Sequence, residues 1–497
     1  MESRGVPDGI ARRTFLAASV SGIAAVVLAS CTGPDPSPTP VPSPTATPTP
    51  TPTPTPPVDG VPAPTAMARS RWGADPFARG AFSYDAVGTT PRLRQSLAEP
   101  VGDRVWIAGE ACSPEAPGTL HGARDSGLAA AQQLARIAEP GERVAVIGAG
   151  LAGLTAAVHL VDAGFEVVVV EARGRVGGRI ASVDADGFDR TVELGSMFAG
   201  DDPELDEALA AASVDTVPFD LDVEARTADG VAVDIPPTGT DAIAAAQAWA
   251  LAGGQDVSLA EALVASGVVP LPSTPGPDGV SPAAWLAHAI SSGVEPATGA
   301  TSALVSARAD ALTAIPGDRR LVTGRLADLV DELADGVDIA VSSVVTRIAY
   351  DDRRVSLRLD SGESLTADRA IVTVPLGVLK SDTLRFSPAL PYAHQRAIAT
   401  LQTGIVDVVW LRFEEAFWRA DAAAGDPSRP GTNADVLTVV ARSTRVAAWL
   451  DVGLATDEPI LVGVIAATQA TRLEELDDEE LHATILADLA PYATATG

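Results

Sequence analysis

The feature that most constrains the fold is a glycine-rich turn between two apolar runs in residues 143–171, RVAVIGAGLAGLTAAVHLVDAGFEVVVVE. The pattern predicts a buried strand over 144–147, then a helix, then a second strand ending at Glu171. Three glycines have the spacing of a phosphate-binding loop: Gly148, Gly150 and Gly153. They permit a tight turn, close approach of a pyrophosphate and close helix packing, while the acid suits a ribose diol. The unit therefore predicts a parallel α/β domain that binds a dinucleotide, the alternative being a glycine-rich turn of another α/β fold.

The segments around this unit resemble the flavin amine oxidase family. In family order they are EARGRVGGRI (171–180), VELGSMF (192–198), residues 321–350, AIVTVPLGVLKSDTLRFSPALP (370–391), WLRFEEAFW (410–418) and residues 461–490. In the family, a W-x-x-DP segment, an AGE motif and a GT-x-HGA helix come next. Here these pieces are RWGADPFARGAFSY (71–84) and IAGEACSPEAPGTLHGARDSG (107–127), which precede the glycine turn.

The displaced order predicts a circular permutant. The old termini would be joined at 134–143, LARIAEPGER, and the new ends would lie near Met67 and Gly497. A short Pro-Gly turn can make the join, because the helix before it and the strand after it belong to one domain. Two incomplete gene fragments fused end to end are the alternative, which we disfavour because each segment occurs once.

The resemblance implies an FAD-binding Rossmann-like α/β domain interleaved with an α+β substrate domain of mixed sheet and helices, in permuted order. The predicted boundaries are an export signal with lipobox (1–31), a Pro/Thr-rich linker (32–66), a permuted C-terminal FAD-domain segment (67–142), the Rossmann core (143–200), the helical part of the substrate domain (201–320), a return to the FAD domain (321–391) and the remaining strands and helix of the substrate domain (392–497).

The resemblance also implies an FAD site. Its expected residues are Gly148, Gly150, Leu151, Ala152, Gly153, Glu171, Ala172, Arg173, Gly178, Arg179, Gly195, Ser196, Val345, Gly109, Glu110, Thr119 and Leu120. Arg179 would supply a fork of donors, and the backbone of Val345 would meet the adenine. Thr119 and Leu120 would begin a helix whose free N–H groups stabilise negative charge on the flavin. Glu110 would bond the ribityl or pyrophosphate region, or serve as a structural acid at a strand end.

The same comparison predicts non-covalent FAD. Monoamine oxidases attach the flavin to a cysteine in the segment that matches residues 80–82, and Ala81 stands at that position. Cys112 lies on the other side of the AGE motif, and we interpret it as a small buried residue.

Four positions are predicted to carry or modify catalysis: Phe82, Thr119, Val408 and Trp418. The first two occupy the places of the amine-flanking aromatic pair, and a small second residue is more typical of polyamine oxidases and histone demethylases. Val408 stands where the family has a lysine that holds water at the flavin. Lys380 is the single lysine of the chain and belongs to another motif. Either reoxidation by O2 is merely slower or another residue holds the water; the alternatives are a flavin dehydrogenase and a protein that has lost turnover.

Residues 241–316 are alanine-rich and amphipathic, which predicts a helical lid. Its acids, Glu261, Glu295 and Asp310, would meet a polyamine or form a solvated helix face. The net charge of −30 argues against nucleic-acid binding, and it either steers cationic substrates or only keeps the protein soluble. Two cysteines and five scattered histidines predict no disulfide framework and no metal site.

The N-terminus resembles a bacterial export signal. Arg12-Arg13 is typical of the twin-arginine route, and the apolar run to Ala29 is short for a membrane span. The following Leu-Ala-Ser-Cys31 resembles a lipobox, which implies lipidation of Cys31; an ordinary cleaved leader is the alternative. The Pro/Thr repeat after it predicts a polyproline-II stalk. We therefore expect an exported protein on the outer face of the bacterial cytoplasmic membrane, or a secreted one.

The sequence thus predicts FAD-dependent oxidation of a small-molecule amine to an imine, with O2 reduced to H2O2 and a polyamine-like substrate marginally preferred. An L-amino-acid oxidase or a flavin dehydrogenase is one alternative. A non-catalytic surface flavoprotein is another.

Overall fold

The computed structural model describes residues 60–219, 222–309, 319–419, 432–441 and 444–493. The export signal, Cys31, most of the Pro/Thr-rich linker and Asp310 lie outside these residues. Within them, no helix is both long and apolar enough to cross a membrane.

The strands of the described chain are β1 Ala66–Arg69, β2 Phe82–Tyr84, β3 Val105–Ile107, β4 Arg143–Ile147, β5 Glu166–Val170, β6 Ser182–Val183, β7 Val192–Glu193, β8 Phe198–Ala199, β9 Thr216–Phe219, β10 Val223–Thr227, β11 Ala232–Val233, β12 Arg319–Val322, β13 Ile339–Ala340, β14 Val345–Tyr350, β15 Val355–Leu359, β16 Ser364–Ala367, β17 Arg369–Val372, β18 Arg385–Ser387, β19 Gln402–Gly404, β20 Val406–Arg412, β21 Val436–Val440, β22 Ala448–Leu450 and β23 Ile460–Ala466.

The α-helices are α1 Pro91–Ala98, α2 Leu120–Ala135, α3 Leu151–Asp162, α4 Pro203–Ala211, α5 Thr238–Ala252, α6 Leu259–Ala265, α7 Pro282–Ala289, α8 Glu295–Thr298, α9 Ala327–Ala334, α10 Leu376–Leu379, α11 Tyr392–Thr400, α12 Gly453–Thr456, α13 Ala467–Glu474 and α14 Asp478–Leu486. Short 3-10 turns cover Glu110–Cys112 and Ala487–Tyr492, and a π-turn at Ile290–Val294 joins α7 to α8.

The glycine turn lies in a five-stranded parallel sheet of order β13-β5-β4-β17-β3. The valine and isoleucine side chains of β4 and β5 are largely buried on both faces, as expected for a parallel sheet covered on both sides. Helices α2 and α3 pack together on one face. They approach closely at Gly127, where a Cβ atom would lie 2.1 Å from the carbonyl oxygen of Ala152. The predicted strand–turn–helix–strand unit is confirmed.

A seven-stranded mixed sheet of order β1-β20-β23-β22-β21-β10-β11 forms a second region. Strands β20 and β23 pair antiparallel along seven residues, with Val408 opposite Val464. Since side chains alternate across a strand, Val408 and Trp410 face one side, whereas Val409 and Leu411 join the cluster under α13 and α14 on the other. The side of Val408 faces the cavity described below.

The predicted helical stretch is confirmed. Helices α5 to α8 lie within or beside residues 241–316, and the apolar faces of α5, α6 and α7 share a core. The end of the stretch, residues 310–316, lies outside the described chain.

The segment before α2 contributes to both regions. Strand β1 forms an edge of the seven-stranded sheet, whereas β3 forms an edge of the parallel sheet. Described structure also precedes the predicted boundary at Met67, because Val61 is 2% exposed and packs in the core of the larger sheet. The proline-rich composition continues to Pro64, so a lone valine within it gave no periodic signal.

Candidate functional site

A cavity of about 500 Å³ is lined by residues of both regions. Within the described chain, its lining contains all but two of the predicted site residues, the exceptions being Gly153 and Trp418. The structure therefore brings together segments that stand more than 300 residues apart in sequence, from Phe82 in β2 to Val408 in β20.

The glycine turn has the geometry that a pyrophosphate needs. Gly148 has a φ of 108°, which favours glycine, and a Cβ at Gly153 would lie 2.0 Å from the Gly148 carbonyl oxygen. Gly153 therefore serves helix packing rather than the lining. At Gly150 a Cβ would meet only the Gly177 oxygen at 3.9 Å, so the backbone there is open to the cavity. Gly150 also caps α3 without a side-chain bond, which leaves first-turn N–H groups for an anion.

Glu171 stands at the tip of β5 as predicted and is buried. Its Oε2 accepts a hydrogen bond from the Ala149 amide at 2.8 Å, and its Oε1 accepts one from the Arg173 amide at 2.8 Å. The carboxylate thus fixes the glycine turn. Its contact with a ribose diol stays a prediction.

Two arginines tie the segment after β5 to the segment after β1. Arg173 donates to both oxygens of Asp75, at 2.7 and 2.9 Å. Arg179 donates to the Ala81 carbonyl at 2.8 Å and to Oε1 of Glu110 at 2.9 Å. The GGR and AGE motifs therefore meet in one ion pair, although its two residues are 69 positions apart in sequence.

Glu110 organises the cavity from within. Its carboxylate accepts from the Ser83 hydroxyl at 2.6 Å, the Gly118 amide at 3.0 Å and Arg179. Burial would raise the pKa of Glu110, but Arg179, the Ser83 hydroxyl and Arg94 outweigh it and hold the pKa below its usual range. Since protein donors surround both oxygens, the structure supports the alternative of a structural acid. Direct contact of Glu110 with the cofactor stays a prediction.

Arg94 supports the site but was not among the residues predicted from the sequence. Its side chain is 1% exposed and donates to the Ser83 hydroxyl at 2.8 Å, the Ala111 carbonyl at 3.0 Å and Asp85 at 2.6 Å. A chain of charges thus runs from the cavity through Glu110 to Asp85. An arginine in the polar helix α1 carries no motif, so no sequence signal pointed to this role.

The N-terminus of α2 opens on the cavity. The Thr119 hydroxyl accepts from the Gly122 amide at 3.0 Å and donates to the Ala116 carbonyl at 2.9 Å, so it caps the helix. The first helical N–H groups, those of Leu120 and His121, have no acceptor within the described chain. Phe82 packs beside this end, where a Cβ at Gly118 would lie 3.3 Å from its ring.

Val408 lines the cavity, and the assignment of this position to the family's lysine stays a prediction from the resemblance. Lys380 does not replace it, because its Nζ donates to the carbonyls of Ile398, Ala399 and Leu401 outside the lining. The aliphatic side chain at this position is therefore a property of the site.

The predicted place of Trp418 in the catalytic site is wrong. The structure does not bring it to the cavity: it is fully buried, donates from Nε1 to Asp451 at 2.7 Å and packs against Phe413 and Phe417. The aromatic residues around it form their own core, which holds the ring away from the site. Trp72 lines the cavity instead, and its Nε1 donates to the Leu194 carbonyl at 2.8 Å. The W-x-x-DP motif contains Trp72, so that motif was the signal for it.

The residues present fit FAD. The open backbone at Gly150, the two helix N-termini and the lining arginines suit a diphosphate and a flavin ring. Burial and the charge of Glu110 raise the pKa of Cys112 to about 12, which makes it a poor nucleophile, and it lies outside the lining. Ala81 lines the cavity and offers no attachment point.

The fold and cavity define a flavoprotein-type dinucleotide site, and comparison with known proteins gives the family. The model of the family described as "Flavin containing amine oxidoreductase" matches residues 53–135, 151–230 and 298–494. The chain belongs to this family and is an oxidoreductase of the amine oxidase type, for which FAD is the expected cofactor.

Individual relatives agree. The chain is 30% identical to Polyamine oxidase 2 of Arabidopsis thaliana over 68% of this chain and 69% of that protein. It is 29% identical to Polyamine oxidase 3 of Oryza sativa subsp. japonica over 67% of this chain and 70% of that protein. A solved triple mutant of putrescine oxidase, from a redesign of its cofactor binding, has the same fold with a TM-score of 0.55, 21% identity and coverage of 71% of this chain and 82% of that one.

Proposed function

We propose that this protein oxidises a small-molecule amine to an imine with non-covalently bound FAD. When bound, FAD would accept a hydride equivalent from the carbon next to the amine nitrogen while the nitrogen lost a proton, and the two electrons and two protons together would reduce O2 to H2O2. The observation that carries the proposal is a single cavity that joins a dinucleotide cradle to Phe82 and an apolar sheet wall. The names of the polyamine oxidase relatives make polyamines one amine class to test.

The chain's own groups supply binding and orientation. The uncapped N–H groups at the start of α2 favour negative charge beside them. Phe82 and the Thr119 position flank the place where the amine would lie, and the apolar walls exclude water. The amine must enter this environment neutral, because an ammonium there would have to be desolvated.

The second candidate function is that of a flavin dehydrogenase, which Val408 favours. A valine can neither hold a water molecule nor supply a positive charge for oxygen reduction. Reoxidation by O2 would then be slow, and another acceptor would serve. The same residue favours a non-catalytic flavoprotein, which the intact glycine turn and Arg179–Glu110 pair oppose.

An L-amino acid would need an arginine for its carboxylate. Of the arginines in the described lining, Arg173 and Arg179 are already paired with carboxylates, which leaves Arg79 as the candidate. L-amino acids therefore belong in the test as the alternative to simple amines.

The test is anaerobic mixing of the purified full chain with monoamines, diamines, spermine, spermidine and L-amino acids. Bleaching of the flavin band by one amine class supports the proposal, and admission of air separates oxidase from dehydrogenase. Bound flavin that light and a sacrificial donor reduce, but that no amine bleaches, contradicts amine oxidation and leaves the non-catalytic alternative.

We also propose that the segment order is circularly permuted. Helix α2 and strand β4 are joined by only seven residues, 136–142, in a turn where Gly141 has a φ of 91°. The two ends of the described chain support the same interpretation, because Val61 and Tyr492 belong to one hydrophobic cluster. Arg69 in β1 also donates to the carbonyls of Leu473 and Leu476, so the W-x-x-DP segment adjoins the late helices that precede it in the family.

For localisation we propose export and anchoring at the outer face of the cytoplasmic membrane through lipidated Cys31. The twin-arginine pattern and the Leu-Ala-Ser-Cys31 motif support this proposal. The twin-arginine route exports proteins that have already folded around a cofactor, which is consistent with a flavoprotein. Replacement of Cys31 by Ser should release the protein from the membrane fraction into the medium.

A further inference from the structure

One wall of the cavity is built by the seven-stranded sheet. Val406 and Val408 of β20, Leu450 of β22 and Val464 of β23 line the cavity there, and we call these four residues the sheet wall. Strand β2, which carries Phe82, pairs with β19 immediately before β20, and Phe82 lines the same cavity. The substrate side of the cavity therefore combines aliphatic side chains with an aromatic ring.

The carboxylates of the cavity are not free to bind a cation. Among the described residues that line it, the acids are Glu110 and Glu171. Both are buried, and each accepts hydrogen bonds from protein donors with both of its oxygens. The permanently charged side chains that remain in the described lining are arginines: Arg79, Arg173 and Arg179. Arg173 and Arg179 are paired with Asp75 and Glu110, so these pairs offer a second ammonium group no net attraction, and Arg79 would repel it.

We infer, on the basis of the proposed function, that the sheet wall selects an amine with a single nitrogen and an apolar substituent. A polyamine carries an additional ammonium at neutral pH, and burial of that charge against aliphatic carbon without a partner is costly. An alkyl or aryl chain of the same length instead gains up to about fourfold in affinity for each buried methylene group. The preference differs from the substrate class in the names of the polyamine oxidase relatives.

One acid near the wall offers the opposing interpretation. Glu295 begins α8, and its neighbour Pro296 lines the cavity, although Glu295 itself is absent from the described lining. Burial raises the pKa of Glu295 to about 7, so near neutral pH it holds only part of a negative charge. If Glu295 turned inward, it would be the partner of a distant ammonium, and its substitution separates the two cases.

The experiment compares octylamine with 1,8-diaminooctane, which have the same chain length and differ by the terminal ammonium. Each is titrated anaerobically into the full-length FAD-loaded protein, and binding is followed by the perturbation of the flavin absorption band. We expect octylamine to bind at least about tenfold more tightly than the diamine, and affinity to rise from butylamine to octylamine. Equal or tighter binding of the diamine, or of spermine, would overturn the inference.

Two variants sharpen the result. Val406→Asp places a carboxylate on the sheet wall. The ratio of the dissociation constant of 1,8-diaminooctane to that of octylamine should fall at least about tenfold in this variant. Glu295→Gln should leave the preference unchanged, whereas a specific loss of diamine binding in this variant identifies Glu295 as the cation partner and contradicts the inference. Should Val406→Asp fail to fold, the comparison of the two amines on the unmodified protein remains decisive.

Binding and reduction are read separately. If octylamine binds preferentially but no amine bleaches the flavin, the proposed function fails and the specificity of the wall stands. If diamines bind and bleach the flavin preferentially, amine oxidation stands and the inference about the wall fails.

Discussion

The two sides of the cavity use opposite chemistry. Around the glycine turn, backbone amides, arginines and two saturated carboxylates form the lining, and the carboxylates and their arginine partners have defined contacts. At the sheet wall, four aliphatic side chains face the cavity without a hydrogen-bonding group. The first side offers directional contacts that suit a dinucleotide, whereas the second offers an apolar surface that sets few directional constraints. Substitutions should therefore affect cofactor content at one side and turnover at the other.

The largest effect is expected from Gly153→Ala. The added Cβ would lie 2.0 Å from the Gly148 carbonyl oxygen, so the turn and α3 must separate and the phosphate cradle is lost. The purified variant should contain little or no FAD, as measured by the ratio of flavin to protein absorbance. Gly254→Ala is the matched control, because a Cβ there meets nothing within 4 Å, and it should retain full FAD content. A normal FAD content in Gly153→Ala would contradict this account of the turn.

A smaller effect is expected from Glu110→Gln. The amide cannot match the charge of Arg179 and adds donors where the Ser83 and Gly118 donors already point. Loss of such a buried charged contact costs about 3 kcal/mol, so FAD affinity should weaken by up to about 100-fold, the limit reached if the whole cost falls on the FAD-bound state. Equilibrium dialysis of the apoprotein measures it. The exposed pair Arg92–Glu99 supplies the control, since Arg92→Gln should change the affinity less than about twofold.

At the sheet wall, Val408→Lys introduces the lysine that the resemblance predicts for this position. An ammonium there would hold water and stabilise charge during oxygen reduction, so reoxidation of photoreduced flavin by air should accelerate about tenfold. Stopped-flow absorbance gives the rate. Val408→Met has a similar reach without the charge and should not accelerate it. Equal rates in both variants would show that length, and not charge, limits the reaction.

The smallest effect is expected at Glu474, at the end of α13, and it concerns the pH dependence of the free energy of unfolding. Burial, and then the charge of Asp407, raise the pKa of Glu474 to about 7, while the Gly73 amide donates to its Oε1 at 2.6 Å. Because the folded state holds this proton more tightly than the unfolded chain, the contribution to stability is complete below about pH 4.5 and declines as the pH rises to about 7.

Glu474→Gln removes that titration. A glutamine retains the acceptor for Gly73 and places a donor toward Asp407, so the variant should be more stable than the parent above about pH 7, by about 1 kcal/mol. Urea unfolding at about pH 5 and about pH 8, on either side of most of this titration, measures the difference. Glu475→Gln on the exposed side of the same helix end should leave the pH dependence unchanged. A parent whose stability rises between these two pH values would refute the assignment.

The sequence predicted the dinucleotide side far better than the wall. Gly148 needs a positive φ, Gly153 has no room for a Cβ, and Gly150 leaves its backbone open to a ligand; the spacing of three such glycines is visible in a short stretch of sequence. The Arg179–Glu110 pair was predictable only as two separate motifs, because their contact depends on how distant segments fold together.

The prediction for Trp418 was wrong for a related reason. Tryptophan next to phenylalanine looks alike in a core and in a site, and only packing against Phe413 and Phe417 decides between them. That packing depends on the three-dimensional arrangement of the aromatic cluster, which the order of residues does not reveal.

The sheet wall was hardest to foresee. Val406, Leu450 and Val464 are ordinary strand residues, and which face of a strand meets a cavity depends on register. Only Val408 was singled out, and only through the resemblance. A sequence motif thus marks positions that only certain residue types can occupy. Aliphatic strand residues that line a cavity have the same sequence pattern as those that fill a core.

The position of β1 has a mechanical consequence. This four-residue edge strand is bonded to one neighbour, β20, with Ala68 opposite Trp410 and Arg69 opposite Val409. The chain is already packed into the fold before β1 begins, because Val61 is buried in the core of the larger sheet. Under the proposed tethering, tension from the N-terminal side would therefore load the Val61 contacts first and then the rungs between β1 and β20, the strand that carries Val408.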